Sequence, residues 1–348
     1  MKNILFILII WCWISPNMVW GNAQSNSIFD LLETEKLLDI EIRTDLENLL
    51  YGEGEKSYIA AQLSYKDKAG AERAWMIETR QRGKYRRKVC DFPPIKLRFD
   101  KQDLEEHGLK SFHTLKLVTH CLDDADVSRA TILKEYLAYK MYNVLTDKSF
   151  RVQLVRVNWR DSATKKKIRR YGFLIENHHE MAARLGGEIV DVMNPDLNRF
   201  DPAQENMAAM YQYFVGNEDY DPMVMRNLKM VQPKDGSPAF FVPYDFDFAG
   251  LVDAPYAVPT SGTGLQSVRE RFFRGYFRDR TLTEATLSRF AALKEELIDE
   301  VYKVKKLDPI SRDEVLDYIE TFYLALDYNT IMTNADANRA VNSTQGGR

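Results

Sequence analysis

Residues 57–82 read SYIAAQLSYKDKAGAERAWMIETRQR, and this stretch decides the fold that the sequence predicts. Apolar and polar residues alternate from Ser57 to Tyr65 and again from Ala74 to Arg82, which is the period-two pattern of half-buried strands. The turn from Lys66 to Gly70 separates the two runs, so they predict an antiparallel hairpin. The amino-terminal part of the chain is therefore expected to form a sheet.

More strands follow this hairpin, and helices follow the strands. Apolar runs predict strands at Ile95 to Phe99, Thr114 to His120, Val152 to Trp159 and Arg170 to Glu176. Helical spacing predicts a helix from about Ser128 to Leu145 and dominates the chain beyond residue 177. The sequence thus predicts an α+β fold, with an antiparallel-sheet part over residues 24–176 and a mainly helical part over residues 177–333.

Two acidic segments carry the residue types of a metal–nucleotide site. The first runs from Gly216 to Asn227 and contains Asp219, and the second, VPYDFDFAG at residues 242–250, contains Asp245. A predicted hairpin around residues 233–236 brings Asn227 and Asp245 to the same end of its strand pair. Phosphoryl transfer from ATP uses an Asp near the attacking hydroxyl and Asn and Asp oxygens on Mg²⁺. We therefore expect Asp219 to be the catalytic aspartate, and Asn227 and Asp245 to bind Mg²⁺ or Mn²⁺.

The same chemistry needs a lysine on the phosphates, and Lys116 in the apolar run TLKLV is the candidate. Glu135, on the helix that follows, is placed where it could pair with Lys116 and hold it. Lys96, one strand earlier, stays open as a rival for this role. A structural alternative also stays open for the acidic residues, because Asn and Asp favour turns, and Asp245 with Asp247 could form the solvent-facing edge of a strand.

A longer pattern resembles a known family. The run from Arg80 to Lys84, RQRGK, and the following PPIKLRF at residues 93–99 resemble the Arg-x-Arg-Gly segment and next strand of the spore-coat CotH kinase-like family. The resemblance implies an atypical, two-lobed protein-kinase-like fold that transfers phosphate from ATP to hydroxyl groups of proteins. It also implies that Arg82 and Gly83 face the nucleotide. The strand end at 174–177, with Glu176, would be the hinge where the nucleotide base binds.

The sequence argues against an ordinary protein kinase. The chain has no G-x-G-x-x-G loop and no H-R-D motif. It also has no true D-F-G motif, because the corresponding residues are Asp245-Phe246-Asp247. Two alternatives to an active kinase stay open. One is a catalytically inactive, pseudokinase-like protein that binds an anionic partner through the basic segment from Arg80 to Arg98. The other is a structural assembly protein without phosphate chemistry.

The two ends of the chain carry no predicted chemistry. Residues 1–23 have the pattern of a secretory signal peptide, with Lys2 before an apolar stretch and small residues Gly21 and Ala23 near the end. The apolar stretch is shorter than a spanning helix needs, so no stable membrane span is expected in the mature chain. Residues 334–348 are small and polar and are expected to be disordered. The mature protein is expected in the periplasm or outside the cell.

Charge and cysteine content agree with export. The net charge is −3 at pH 7, so nothing in the overall balance indicates nucleic acid as a partner. Cys90 and Cys121 are the two cysteines beyond the leader. An even pair in an exported protein predicts a disulfide, with two buried free thiols as the alternative.

Overall fold

The structure is a computed structural model that describes residues 26–52, 57–260, 263–276 and 279–333. The expected signal peptide, residues 1–23, and the expected disordered tail, residues 334–348, lie outside the described residues.

The strands in these ranges lie in two sheets. They are β1 Leu38–Thr44, β2 Ile59–Lys66, β3 Glu72–Gln81, β4 Ile95–Phe99, β5 Thr114–Val118, β6 Val152–Asp161, β7 Lys167–Ile175, β8 Gly187–Val190, β9 Leu228–Pro233 and β10 Phe240–Pro243. The helices are α1 Ile28–Leu32, α2 Leu46–Tyr51, α3 Arg86–Val89, α4 Lys101–Glu106, α5 Ala125–Leu145, α6 His178–Arg184, α7 Pro202–Val215, α8 Arg280–Ala292, α9 Lys294–Lys303 and α10 Pro309–Leu324. Among the described residues, no helix is both long enough and apolar enough to cross a lipid bilayer.

The first seven strands close into a barrel in the order β1-β2-β3-β4-β5-β7-β6. The predicted hairpin is confirmed as β2 and β3, which pair antiparallel with Lys66 opposite Glu72. Because successive side chains of a strand point to opposite faces, alternate residues point into the barrel. Apolar side chains such as Leu63, Trp75 and Leu97 fill its interior.

The two-lobed, protein-kinase-like fold expected from the sequence is wrong, although the chain is α+β as expected. A closed barrel of mixed parallel and antiparallel pairs takes the place of the antiparallel sheet of a kinase amino-terminal lobe. The reason is β1, which is absent from the predicted strands. It pairs antiparallel with β2 and parallel with β6, so it joins the two edges that an open sheet would leave free.

Helix α5 packs on the outside of the barrel, against β6 and β7. Outward-facing Val118, Phe173 and Ile175 share one apolar core with side chains of α5 and α7. A three-stranded sheet in the order β10-β9-β8 packs against α7 through β10. This arrangement places the end of β10 beside the outer face of β5 and the middle of α5.

Cys90 and Cys121 form the predicted disulfide, with their Cα atoms 4.6 Å apart. The bond ties the residue after α3 to the segment after β5, where Phe92 N–H also donates to the Cys121 carbonyl at 3.2 Å. Closing a loop with a sequence separation of 31 stabilises the folded state by about 3.7 kcal/mol in the chain-entropy account. Disulfides persist in oxidising compartments, so this bond is compatible with export.

Candidate functional site

The candidate site lies where α3, α5 and the segment after β10 meet. Glu135 on α5 and Asp245 and Asp247 after β10 form an acidic cluster, whose ligand-type oxygens all lie within 4.8 Å of one another. Glu135 and Asp247 are buried, with 1% and 3% of their surfaces exposed. Charged side chains at such depth need partners, because an isolated buried charge is costly.

Arg86, the first residue of α3, is the ion-pair partner of this acidic cluster. Its Nη1 lies 3.5 Å from Glu135 Oε2 and its Nε lies 3.1 Å from Asp247 Oδ2. Its Nη2 donates a hydrogen bond to Asp245 Oδ1. Only 5% of the Arg86 surface is exposed. The guanidinium therefore joins three acids that are distant in sequence, and the disulfide at Cys90 fixes the end of the short helix that carries it.

The three carboxyl groups respond differently to their surroundings. Burial raises the pKa of Glu135 and of Asp247, and the attraction of Arg86 only partly offsets this. Burial also raises the pKa of Asp245, but Arg86, Arg82 and Lys116 outweigh it and bring the pKa below its ordinary value. Asp245 is thus the member of the cluster that stays ionised most readily, and it faces the largest number of cations.

The backbone around Asp245 is in an unusual conformation. Asp245 has φ 67° and Asn227 has φ 52°, both in the left-handed region that Asp and Asn tolerate better than most residues. Pro243 pairs with Leu228 across β10 and β9, and Tyr244 N–H donates to the Asn227 carbonyl at 3.0 Å. The predicted hairpin therefore does bring Asn227 and Asp245 to the same end. Asp245 N–H is held by the Tyr139 hydroxyl of α5 at 2.8 Å.

Asp219 follows α7 and lies beside this hairpin end. Gly216 ends α7 in the left-handed conformation, with φ 67°, and turns the chain toward Asp219. Asn227 Nδ2 donates to Asp219 Oδ2 at 3.0 Å, and Arg226 Nη1 lies 3.5 Å from Asp219 Oδ1. Burial raises the pKa of Asp219, Arg226 lowers it and the nearby Asp245 raises it further, with a net increase. Asp219 and Asn227 are thus brought together, and Asp245 lies close enough to act on Asp219 electrostatically.

Two cations face Asp245 from the barrel. Lys116 projects from the outer face of β5, and its Nζ lies 4.1 Å from the centre of the Tyr244 ring. Burial lowers the pKa of Lys116 well below its ordinary value, and Arg82 lowers it further. Among the described residues, neither Lys116 nor Arg82 has a carboxylate within ion-pair distance. A pair of cations placed in this way can bind an anion.

The remaining predicted residues have other surroundings. Glu135 pairs with Arg86 and not with Lys116, the partner expected from the sequence. Gly83 forms a left-handed turn with φ 84° between Arg82 and α3. Glu176 is fully buried and accepts from Arg151 Nε at 3.0 Å and from Arg184 Nη2 at 2.6 Å. The Glu176 carboxylate thus serves an ion-pair network at the end of β7, away from the acidic cluster.

Sequence reasoning missed Arg86 and the role of Asp247. Arg86 is one of eight Lys and Arg residues between positions 80 and 98, and nothing in that run distinguishes it. The sequence did indicate that Asp247 lies on the same side as Asp245, because residues two apart on an extended segment share a face. In the structure Phe246 is fully buried and Asp247 nearly so, which excludes a solvent-facing edge. Burial raises the pKa of Asp247 by more than the nearby Tyr256 side chain lowers it.

No family model matches this chain, and a comparison with curated proteins finds no match.

Proposed function

We propose that this protein is an exported phosphotransferase that binds ATP with Mg²⁺ or Mn²⁺ and transfers a phosphoryl group to a hydroxyl of a protein or surface component. The observation that carries the proposal is the position of Lys116 and Arg82. Both cations face Asp245 without an ion-pair partner among the described residues, and burial already lowers the pKa of Lys116. A bound anion would stabilise both charged side chains, and nucleotide phosphates are the anions that fit beside a carboxylate–amide metal site.

The donor set also fits a divalent metal. Carboxylate and amide oxygens are the ligands that Mg²⁺ prefers. Asp245 would bind the metal, as would Asn227, whose Nδ2 is used by Asp219 while its amide oxygen has no hydrogen-bond partner among the described residues. Glu135 Oε1 is buried and lacks a hydrogen-bond partner, which leaves this oxygen available to bind a cation. When bound, the metal would neutralise charge on the phosphoryl oxygens.

Asp219 would accept the proton of the acceptor hydroxyl. A base works best when its pKa approaches the working pH, and burial moves the pKa of Asp219 upward. The hydrogen bond from Asn227 Nδ2 to Asp219 Oδ2 orients this carboxylate. Lys116 and Arg82 would bind the phosphates and stabilise the negative charge that develops on them during the transfer. The work of the protein is therefore positioning and electrostatic stabilisation.

The resemblance to the CotH kinase-like family supports this proposal through the site residues Arg82, Gly83, Asp219 and Asp245. The barrel forms no part of that resemblance. The disulfide agrees with export, and the proposed location of the mature protein is the periplasm or the cell exterior.

One observation favours a second candidate, a protein that binds an anionic partner without transferring phosphate. Arg86 engages all three acids of the acidic cluster, including the proposed metal ligand Asp245. If that arrangement persists with nucleotide bound, Asp245 has one carboxylate oxygen left for a metal.

Formation of ADP from ATP by the mature protein separates these two candidates. The proposal predicts ADP formation that requires Mg²⁺ or Mn²⁺ and falls about 100-fold or more in Asp219→Asn, since a positioned base contributes about 10²–10⁴-fold. Asp235→Asn is the matched control, because Asp235 lies in the exposed β9–β10 turn, where it accepts from Ser237 N–H. Equal rates in the wild type and Asp219→Asn would overturn the proposed role of Asp219. ATP binding without any ADP formation would favour the second candidate.

A further inference from the structure

The acidic cluster contains more carboxyl groups than cations in contact with them. Glu135, Asp245 and Asp247 are three carboxyl groups, and Arg86 is the cation that the described residues place within ion-pair distance of them. Arg82 and Lys116 act on Asp245 from a greater distance, and the proposed function assigns them to phosphates. One guanidinium therefore serves three acids in a setting from which water is largely excluded.

An independent observation shows which atom lacks a partner. Glu135 Oε1 is buried, and no hydrogen-bond donor reaches it, whereas Glu135 Oε2 faces Arg86. Buried carboxylate oxygens are nearly always satisfied by a donor or a cation. Only 1% of the Glu135 surface is exposed, and this residue is held on helix α5. The unpartnered oxygen thus belongs to a carboxyl group that has an oxygen within 4.8 Å of a carboxyl oxygen of Asp245 and of Asp247.

We infer that Glu135, Asp245 and Asp247 bind a divalent cation beside Arg86, and that they do so without nucleotide. Two positive groups, the guanidinium and the cation, would then balance three carboxylates. The class of ion follows from the donors, because three carboxylates and no nitrogen or sulfur ligand favour Mg²⁺, Mn²⁺ or Ca²⁺ over softer metals. The role of Glu135 in this account is that of a metal ligand. The inference rests on the proposed function only through Asp245, which both require.

The test measures binding of Mn²⁺ alone to the chelator-treated mature protein, by loss of the electron paramagnetic resonance signal of free Mn²⁺. The wild type should bind one Mn²⁺ per chain in the absence of nucleotide. Glu135→Gln keeps the size of the side chain and removes one charged ligand, so its dissociation constant should rise at least tenfold. Asp247→Asn should have the same effect and replaces Glu135→Gln if that variant does not fold.

Glu180→Gln is the matched control. Glu180 is also a buried glutamate with an arginine partner, Arg151 at 2.8 Å, but it lies outside the acidic cluster. Its substitution should leave Mn²⁺ binding unchanged. A wild type that does not bind Mn²⁺, or variants Glu135→Gln and Asp247→Asn that bind it as tightly as the wild type, would overturn the inference.

The same titration distinguishes this inference from the proposed function. Mn²⁺ binding that depends on Glu135 supports the cation site even if ATP never binds. ATP binding that requires Asp245 but proceeds without nucleotide-free Mn²⁺ binding supports the proposed function and overturns the cation site.

Discussion

Lys116 lies directly opposite Lys96, on the neighbouring strands β5 and β4 of the barrel. Directly opposed residues share one face of a sheet, so both lysines project from the outer surface of the barrel. The sequence left these two residues as rivals for the phosphate lysine. In the structure, Lys116 contacts the ring of Tyr244, the residue before Asp245, whereas Lys96 lies one strand further from the acidic cluster.

Substitution of each lysine by methionine separates the two roles. We expect Lys116→Met to weaken ATP binding at least tenfold, because a charged hydrogen bond is worth about 1.5–3 kcal/mol. Lys96→Met, the matched control, should change the dissociation constant by much less. Isothermal titration with ATP and Mg²⁺ measures both values. A larger loss in Lys96→Met would assign the phosphates to the other lysine.

Arg86→Ala should be among the most destabilising substitutions in this chain. It leaves the buried Glu135 and Asp247 and the half-buried Asp245 without their contacting cation, and breaking a buried ion pair from one side costs about 3–5 kcal/mol. Lys84→Ala, two residues earlier on an exposed turn, should change the free energy of unfolding by about 0.5 kcal/mol or less. Urea unfolding of the two variants and the wild type measures the difference. Similar losses in both variants would show that Arg86 does not stabilise the acidic cluster.

Gly216→Ala tests the turn that positions Asp219. A Cβ at residue 216 would lie 2.0 Å from the Tyr318 hydroxyl, and φ is 67°. Gly236→Ala is the matched control, since its φ is 84° but a Cβ there meets nothing within 4 Å. A left-handed conformation costs a residue with a Cβ about 1–2 kcal/mol, so both variants should lose that amount. Gly216→Ala should lose more, and equal thermal stability of the two would contradict the crowding at Tyr318.

His120 should make the protein less stable in mild acid. It is 2% exposed and packs on Phe92 with ring centres 4.5 Å apart. Burial, with a smaller effect of Arg170, lowers the pKa of His120 to about 3 from 6.5. The neutral form is thus favoured in the folded state. Its contribution to stability is complete above pH 6.5 and is lost as the pH falls from 6.5 toward 3.

The expected slope for His120 is about 1.4 kcal/mol per pH unit below pH 6.5, because the unfolded chain binds a proton that the folded chain excludes. Chemical unfolding at pH 7.5 and pH 5.5, compared with His120→Gln, isolates this contribution from that of the carboxyl groups. The wild type should lose about 1.4 kcal/mol more than the variant. The same pH dependence in both proteins would show that His120 is protonated in the folded state.

The sequence predicts those features of this fold that depend on local pattern. Alternation gives the β2–β3 hairpin, and the turn at residues 233–236 gives the convergence of Asn227 with Asp245. The closure of the barrel depends instead on the parallel pairing of β1 with β6, across more than a hundred residues, and no local signal specifies such a pairing. Closure is also what makes the kinase-like fold wrong.

The candidate site also contains some residues that the sequence predicts and others that it does not. Asp219, Asn227 and Asp245 are recognisable as candidates because Asp and Asn are residue types that metal-assisted phosphoryl transfer uses, although Asn227 follows Asp219 at a longer spacing than in ordinary kinases. Arg86 cannot be recognised from the sequence. Its role depends on its burial at the start of α3 and on the disulfide that fixes the residue after this helix. Glu135 was assigned to the site from its helix, but its partner depends on tertiary packing. Propensity and spacing do not determine which of several cations reaches a buried acid.

The most direct test of a metal–nucleotide site is thermal unfolding of the mature protein, residues 24–348, with and without ATP plus Mg²⁺, for the wild type, Asp245→Asn and Asp253→Asn. Asp253 is an exposed aspartate paired with Arg269, and it serves as the control. A ligand that binds only the folded state stabilises it, by about 2.7 kcal/mol at 100 times its dissociation constant. The account predicts a Mg²⁺-dependent rise in melting temperature that is lost in Asp245→Asn and kept in Asp253→Asn. No rise in the wild type at millimolar ATP and Mg²⁺ would contradict it.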